Sequence, residues 1–141
     1  MLTQQSGVIQ VLNVAIPRGT YHTFGTTDWT NIPHLSGGFY SSPGSRTVIT
    51  YHLSVGPASS STTWYLRILV DGVPYACCAQ TFIAFSGTSR GIHRQVALSL
   101  GAGYHTLSAQ CKNSTGSDVL AIGAQESSVG AASLTIREFM S

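Results

Sequence analysis

Residues 47–55, TVITYHLSV, and residues 62–70, TTWYLRILV, decide the fold class of this chain. Alternate residues of a β-strand face the same side of a sheet, so a strand with one buried face is apolar at every second position. Both stretches have this pattern, with Ile49, Tyr51, Leu53 and Val55 in the first and Trp64, Leu66, Ile68 and Val70 in the second. They predict two half-buried strands.

Turn signals join further alternating stretches into hairpins. Asp71-Gly72 is a two-residue hairpin signature, and it predicts that residues 73–85 return as a strand beside 62–70. This return strand is apolar on both faces, which favours a central position or contact with a neighbouring subunit. Gly101-Ala102-Gly103 predicts a second hairpin between flanking strands. The alternating stretches that remain are expected to be strands at 7–16, 20–24, 93–100, 104–113, 119–125 and 133–139.

Residues 25–46 lack this alternation and are rich in Gly, Pro, Ser and Thr, so they predict a long ordered loop. A loop of this length in a compact domain is usually functional or packed on a neighbour. Residues 1–10 are a candidate extended arm that contacts another protein. With eight to ten short strands, and neither helix, repeat nor linker, residues 1–141 predict one domain, an all-β antiparallel sandwich or barrel.

The composition narrows the function classes. Only 9% of the 141 residues are charged, against roughly 25% in an average domain. The apolar content excludes disorder, and no segment is long and apolar enough to span a bilayer. A net charge of +2, with Arg90 and Arg94 as the nearest approach to a basic cluster, argues against nucleic-acid binding. Freely diffusing monomers generally rely on surface charge for colloidal stability, so the low charge favours an assembled subunit over an enzyme.

The N-terminus and the cysteines are interpreted together. MLTQQSGVIQ has no basic stretch followed by an apolar run, which predicts a cytosolic start without a secretory signal. An odd number of cysteines then predicts reduced thiols at Cys77, Cys78 and Cys111. Neighbours on a strand point to opposite faces, so Cys77 and Cys78 are not expected to bind one ion together. All three are interpreted as small buried hydrophobes.

One catalytic motif occurs, Gly87-Thr88-Ser89-Arg90-Gly91, which matches the G-x-S-x-G pattern of a hydrolase nucleophile. That mechanism needs a helix after the serine, whereas a hairpin is predicted there, and no histidine follows Asp118. Triads of other chain order depend only on proximity in space and stay open. An exposed turn is the favoured interpretation, and neither enzymatic activity nor a cofactor is predicted.

The five histidines show no metal-ligand spacing. If the chain were trimeric, one histidine from each subunit could bind an ion on the threefold axis, and His22, His34 and His52 are the candidates for this. Ordinary partly buried histidines are the favoured alternative. No metal site is therefore predicted.

Asp28 and Trp29 form the candidate ligand site in the predicted loop, together with Tyr40. A carboxylate that accepts hydroxyl groups beside an indole that stacks is an arrangement suited to a sugar. The alternative, which we favour from sequence, is that Asp28 bonds its own backbone and Trp29 packs in the core or an interface.

The C-terminal part of the chain resembles phage and bacterial virion proteins with a tumour-necrosis-factor-like jelly roll. A "G-x-H-T" strand, a terminal "S-L-x-V-x-E" strand and an "L-R-L-x-x-D-G" hairpin carry the resemblance, which covers about residues 47–139 as a pattern. The matching positions are Gly103, His105, Thr106 and Leu107, then Ser133, Leu134, Thr135, Ile136 and Glu138, and Arg67, Asp71 and Gly72.

The resemblance implies a homotrimer that forms part of a virus particle, made in the host cytoplasm. The first hypothesis is a non-enzymatic capsid decoration protein bound to the major capsid protein. The second is a receptor-binding or tail-fibre tip module that recognises a host glycan. Neither implies contact with nucleic acid or a membrane. Aromatic residues are the first interface candidates: Tyr51, Tyr65, Tyr75, Phe82 and Tyr104.

Overall fold

The computed structural model describes residues 8–17, 21–25, 27–58, 62–84, 90–114, 120–123 and 132–139. All strand pairings among these residues are antiparallel, which confirms the predicted all-β class. No helical segment in this part of the chain has the length and apolar character needed to cross a membrane. The strands are β1 (Val8–Ala15), β2 (Tyr21–Phe24), β3 (Thr30–Ser41), β4 (Arg46–Ala58), β5 (Thr62–Val70), β6 (Val73–Pro74), β7 (Gln80–Ala84), β8 (Arg90–Leu98), β9 (Gly103–Asn113), β10 (Leu120–Gly123) and β11 (Ser133–Phe139).

The first sheet has six strands in four positions, because β1 and β2 lie end to end in one position and β10 and β11 lie end to end in another. β10 and β11 pair in turn with the same edge of β4, where Ile122 lies opposite Val55 and Leu134 lies opposite Tyr51. β2 and β1 pair with β10 and β11 in the same way, and β8 pairs with the other edge of β4. The resulting order is β1/β2, β11/β10, β4, β8.

The second sheet also has four positions, in the order β3, β9, β5 and then β6 with β7 on the far edge of β5. Along the chain, successive positions alternate between the two sheets, except where β5 and β6/β7 form a hairpin within one sheet. This order is that of an eight-stranded jelly roll, so the predicted antiparallel jelly-roll sandwich is confirmed.

The core lies between the two sheets. The alternate apolar residues predicted on β4 and β5 all face inwards and are at most 1% exposed. From the other strands, β9 contributes Leu107, Ala109 and Cys111, and β11 contributes Leu134 and Ile136. Each fully buried Leu, Ile or Val stabilises the fold by about 1.5–3 kcal/mol relative to exposure.

The loop predicted at 25–46 is wrong for most of its length, because residues 30–41 are β3. Its apolar pattern is irregular since the pairing with β9 shifts between Asn31 and Ser36, where His34 has a φ of 70°. The shift puts Ile32, Leu35 and Phe39 inside at unequal spacing. Sequence alternation therefore fails at a bulged strand.

The hairpin at Asp71-Gly72 is confirmed, whereas the single return strand over 73–85 is wrong. Asp71 and Gly72 have φ values of 53° and 78°, the two positive angles of a type I′ turn. After two residues of β6 the chain leaves the sheet in a 3-10 helix at Ala76–Cys78, and it rejoins β5 as β7. Of the candidate arm, Val8–Gln10 pair with β11, and residues 1–7 lie outside the described residues.

Candidate functional site

Trp29 lies against two cationic side chains on the outer face of the second sheet. It immediately precedes β3, and its ring centroid is 4.2 Å from Cζ of Arg67 and 4.9 Å from Nζ of Lys112. Arg67 on β5 and Lys112 on β9 both point outwards, since Leu66, Ile68 and Cys111 face the core. Cation–π contacts at partly exposed sites stabilise by about 0.5–1 kcal/mol each, so the indole has a defined position.

A row of polar side chains crosses three strands beside the indole. Arg67 Nε donates to Gln110 Oε1 at 2.8 Å, and Gln110 Nε2 donates to Asn31 Oδ1 at 2.8 Å. The register places Gln110 opposite both Arg67 and Asn31, so these contacts follow directly from strand pairing. The row fixes the orientation of the guanidinium group before any ligand binds.

A pocket of about 350 Å³ opens beside Trp29. Its walls are the outer face of β5 and the segment from β6 to β7, which the backbone N–H of Tyr75 ties to the carbonyl of Ile68 at 3.2 Å. The departure of this segment from the sheet creates the space. Aromatic and polar side chains share the lining, which includes Trp29, Tyr65, Arg67, Tyr75, Gln80 and Thr81.

The fold groups the candidate interface and ligand residues differently from the sequence prediction. Tyr65 and Tyr75, proposed from sequence as interface residues, line the pocket with Trp29. Asp28 is exposed beside Trp29 in the chain and is not part of the lining, and its carbonyl accepts from Thr30 Oγ1 at 3.1 Å. Sequence reasoning missed this grouping because the residues come from separate strands.

Two other interface candidates lie in the core of this chain and offer no surface to a partner. Tyr51 is 1% exposed and Phe82 is 5% exposed. The Tyr51 hydroxyl donates to Gln80 Oε1 at 3.0 Å and reaches the Cys78 carbonyl at 3.3 Å, which links the first sheet to the second. Burial raises the pKa of Tyr51 to about 12. The period-two pattern places both rings on inward faces.

Tyr40 and Tyr104 form an exposed aromatic pair at the far end of the second sheet, away from Trp29. They lie opposite each other on β3 and β9, 72% and 57% exposed, with ring centroids 5.0 Å apart. The Tyr104 ring lies across Gly38, where an added Cβ would overlap the tyrosine hydroxyl oxygen. The glycine allows the ring to lie flat on the strand.

His105 and Asp71, two of the residues that carry the family resemblance, contact each other. His105 Nδ1 lies 2.7 Å from Asp71 Oδ2, and Nε2 lies 2.6 Å from the Gly101 carbonyl. Asp71 Oδ1 accepts from the backbone N–H of Thr106. Hydrogen bonding to Asp71 raises the pKa of His105, and the same bond lowers the pKa of Asp71. The pair has a structural role, because it holds the β5–β6 turn against β9.

Glu138, another residue that carries the family resemblance, links the end of β11 to the turn between β3 and β4. Glu138 is 4% exposed, and its carboxylate accepts from Ser45 Oγ and from the backbone N–H of Ser42. The Ser45 hydrogen bond is the main cause that lowers the pKa of Glu138. The contact holds the end of β11 in place, and it is a structural rather than a chemical site.

The cysteines differ from the sequence interpretation at one position. Cys78 and Cys111 are buried, whereas Cys77 is exposed, and all three are free thiols. Cys77 and Cys78 lie on the 3-10 helix rather than on a strand, and their sulfur atoms are 3.9 Å apart. Burial raises the pKa of Cys78 and of Cys111 to about 12, so these two thiols stay protonated at neutral pH.

The remaining chemical candidates are not assembled into a site by the described residues. No group of three or more His, Cys, Asp or Glu side chains in that part of the chain could hold a metal ion. Ser89 and Asp118 of the hydrolase alternative lie outside the described residues, as does the side chain of His22. His34, His52 and His93 are exposed on their strands.

Comparison with known proteins adds little. No protein-family model matches the sequence, and no curated protein matches it. Among solved structures, the chain is similar to the crystal structure of dimeric latent PorU from Porphyromonas gingivalis, with a TM-score of 0.45 and 9% sequence identity. The match covers 94% of this chain and 13% of the PorU chain. A likeness of this size assigns no function.

Proposed function

We propose that this chain is a non-enzymatic receptor-binding module of the tail-fibre tip type, which recognises a glycan on a host surface. The pocket beside Trp29 is the observation that supports this function most directly. It is lined by three aromatic rings and a few polar side chains, which is typical of a site for a small ligand or one residue of a larger one.

The chemistry of the lining suits a sugar. A sugar ring presents an apolar face of C–H groups and a rim of hydroxyl groups. Trp29, Tyr65 and Tyr75 offer aromatic surface to the first, and Gln80 and Arg67 offer hydrogen-bonding groups to the second. Because Trp29 is already held by its cationic neighbours, a ligand orders few side chains when it binds.

The test is glycan binding by matched variants. Trp29→Ala removes the central aromatic surface and is expected to weaken binding to host cells or a glycan array by about tenfold or more. Tyr104→Ala is the control, because it removes an exposed ring at the other end of the same sheet face. Equal binding by wild type and a folded Trp29→Ala variant would contradict the proposal.

A second candidate function is a capsid decoration protein that assembles as a homotrimer on a phage particle. The exposed Tyr40–Tyr104 pair supports this candidate, because tyrosine is enriched at protein interfaces and this pair leaves a large aromatic area uncovered. Its partners would be copies of itself and the major capsid protein.

Solution mass and capsid binding test the second candidate. A trimer of this 14.9 kDa chain has a mass of about 45 kDa, and Tyr104→Ala is expected to shift the distribution towards the monomer. A monomer at micromolar concentration, or failure to sediment with preformed capsids, argues against decoration. Trp29→Ala is the matched control here and should leave the mass unchanged.

A further inference from the structure

We propose that the glycan bound at this pocket carries an anionic group, a carboxylate or a phosphate, which Arg67 and Lys112 bind. This inference rests on the proposed function and adds the chemical class of the ligand. It goes beyond the sugar-binding chemistry because it assigns a role to the two cations rather than to the aromatic rings.

The two cations converge on one small area. Both lie within 5 Å of the centre of the Trp29 ring, and Nζ of Lys112 is also 5.7 Å from the centre of Tyr65. Two like charges that contact the same ring repel each other, and an anion that contacts both relieves the repulsion.

Arg67 has the geometry to bind an anion in a fixed orientation. Its Nε is used by Gln110, and Gln110 is held in turn by Asn31. The two terminal NH₂ groups of a guanidinium form a planar fork that matches two oxygens of a carboxylate or a phosphate. Because the polar row already fixes the plane, little side-chain entropy is lost on binding.

Lys112 supplies a point charge beside this fork. Its side chain is half-buried between Trp29 and Tyr65, so water screens it less than a fully exposed lysine. A sugar that stacks on the aromatic lining and carries an acidic substituent contacts both the aromatic rings and the two cations. A neutral sugar would contact only the aromatic rings.

The experiment compares matched acidic and neutral probes. Sialyllactose is tested against lactose, tetragalacturonate against its carboxyl-reduced form, and mannose 6-phosphate oligosaccharide against its dephosphorylated form, within a printed array of neutral and anionic glycans. Single-stranded oligo(dT) is included, because aromatic surfaces with cations also bind nucleic acid. The carboxylate and phosphate arms distinguish the two sources of the anion.

Variants of the cations give the second readout. Lys112→Gln is expected to lower affinity for the anionic glycan by about tenfold, and Lys112→Arg to restore most of it. Arg46→Gln removes an exposed cation from the other sheet and should leave affinity unchanged. Thermal unfolding of each variant confirms that it is folded.

Each outcome has a defined meaning. Binding confined to anionic members, weakened by salt and by Lys112→Gln, supports the inference. Equal binding of acidic and neutral members overturns it and leaves the glycan function standing. Binding of oligo(dT) in preference to every glycan, or no binding to any member by the folded wild type, overturns both proposals.

Discussion

His105 contacts Asp71 across 34 positions of sequence, with 2.7 Å between Nδ1 of the imidazole and Oδ2 of the carboxylate. Both ring nitrogens face oxygen acceptors, since Nε2 lies 2.6 Å from the Gly101 carbonyl. An imidazole donates from both nitrogens only when it is protonated, so this geometry favours the charged pair. The β5–β6 turn and the turn before β9 are thereby both bonded to one side chain.

The first prediction concerns how the stability contributed by the His105–Asp71 pair depends on pH. The pKa of His105 is raised above its usual 6.5. Its contribution to the free energy of unfolding is therefore complete below pH 6.5 and is lost as pH rises through the higher pKa of the folded state. The pKa of Asp71 is lowered from 3.8, so its contribution is present above pH 3.8 and is lost as pH falls through the lower folded value. The pair therefore stabilises most between about pH 4 and 6.5.

Asp71→Asn tests this window, because asparagine tolerates the same positive φ in a type I′ turn. The loss of stability is expected to be below about 1 kcal/mol, since the Asp71 side chain is 49% exposed and water screens the pair. Thermal unfolding from pH 3 to 8 measures it. A difference between wild type and variant that is constant across this range contradicts the assignment.

The second prediction concerns the link between the sheets at Tyr51. Tyr51→Phe keeps the buried ring and removes the hydroxyl, which donates to Gln80 Oε1 and lies 3.3 Å from the Cys78 carbonyl oxygen. The free energy of unfolding is expected to fall by about 1–3 kcal/mol, as for other buried partners left unsatisfied. Urea denaturation measures this, and Tyr40→Phe, at a 72% exposed ring, should change stability by less than about 0.5 kcal/mol.

The third prediction concerns the carboxylate of Glu138. Glu138→Gln keeps the shape but removes the charge that Ser42 and Ser45 bond, and a cost of about 1.5–3 kcal/mol at pH 7 is expected. The pKa of Glu138 is lowered from 4.5, so its stabilising effect is present above pH 4.5 and is lost as pH falls through the folded value. In urea titrations, the stability difference between wild type and variant should be smaller at pH 3 than at pH 7, and an undiminished difference at pH 3 would count against this role.

The fourth prediction concerns Gly38 and the ring that crosses it. A methyl group at position 38 would overlap the end of the Tyr104 side chain, so Gly38→Ala should push the ring away from Tyr40. Loss of the aromatic contact is expected to cost about 0.5–1.5 kcal/mol. In a Tyr104→Ala background the same substitution should cost less, and a double-mutant cycle without coupling would refute the contact.

The sequence predicted the strands whose apolar residues alternate and the turn whose residues demand positive φ. It did not predict β3, because the register shift between Asn31 and Ser36 removes the alternation there. The sequence also did not predict the pocket, because Trp29, Tyr65 and Tyr75 belong to no common sequence motif. They come together only through the register between strands and through the segment that leaves the sheet after β6. From sequence, Tyr65 and Tyr75 are interface candidates only, and their grouping with Trp29 around a pocket could not be predicted.

The position of Trp29 relative to the bound glycan tests the central claim most directly. The chain has two tryptophans, and Trp64 is wholly buried in the core, so their indole N–H resonances report the site and an internal control. Titration with a glycan that binds wild-type protein should shift the Trp29 resonance in a saturable way and leave the Trp64 resonance in place. Saturable binding with an unmoved Trp29 resonance would contradict the account and place the glycan elsewhere.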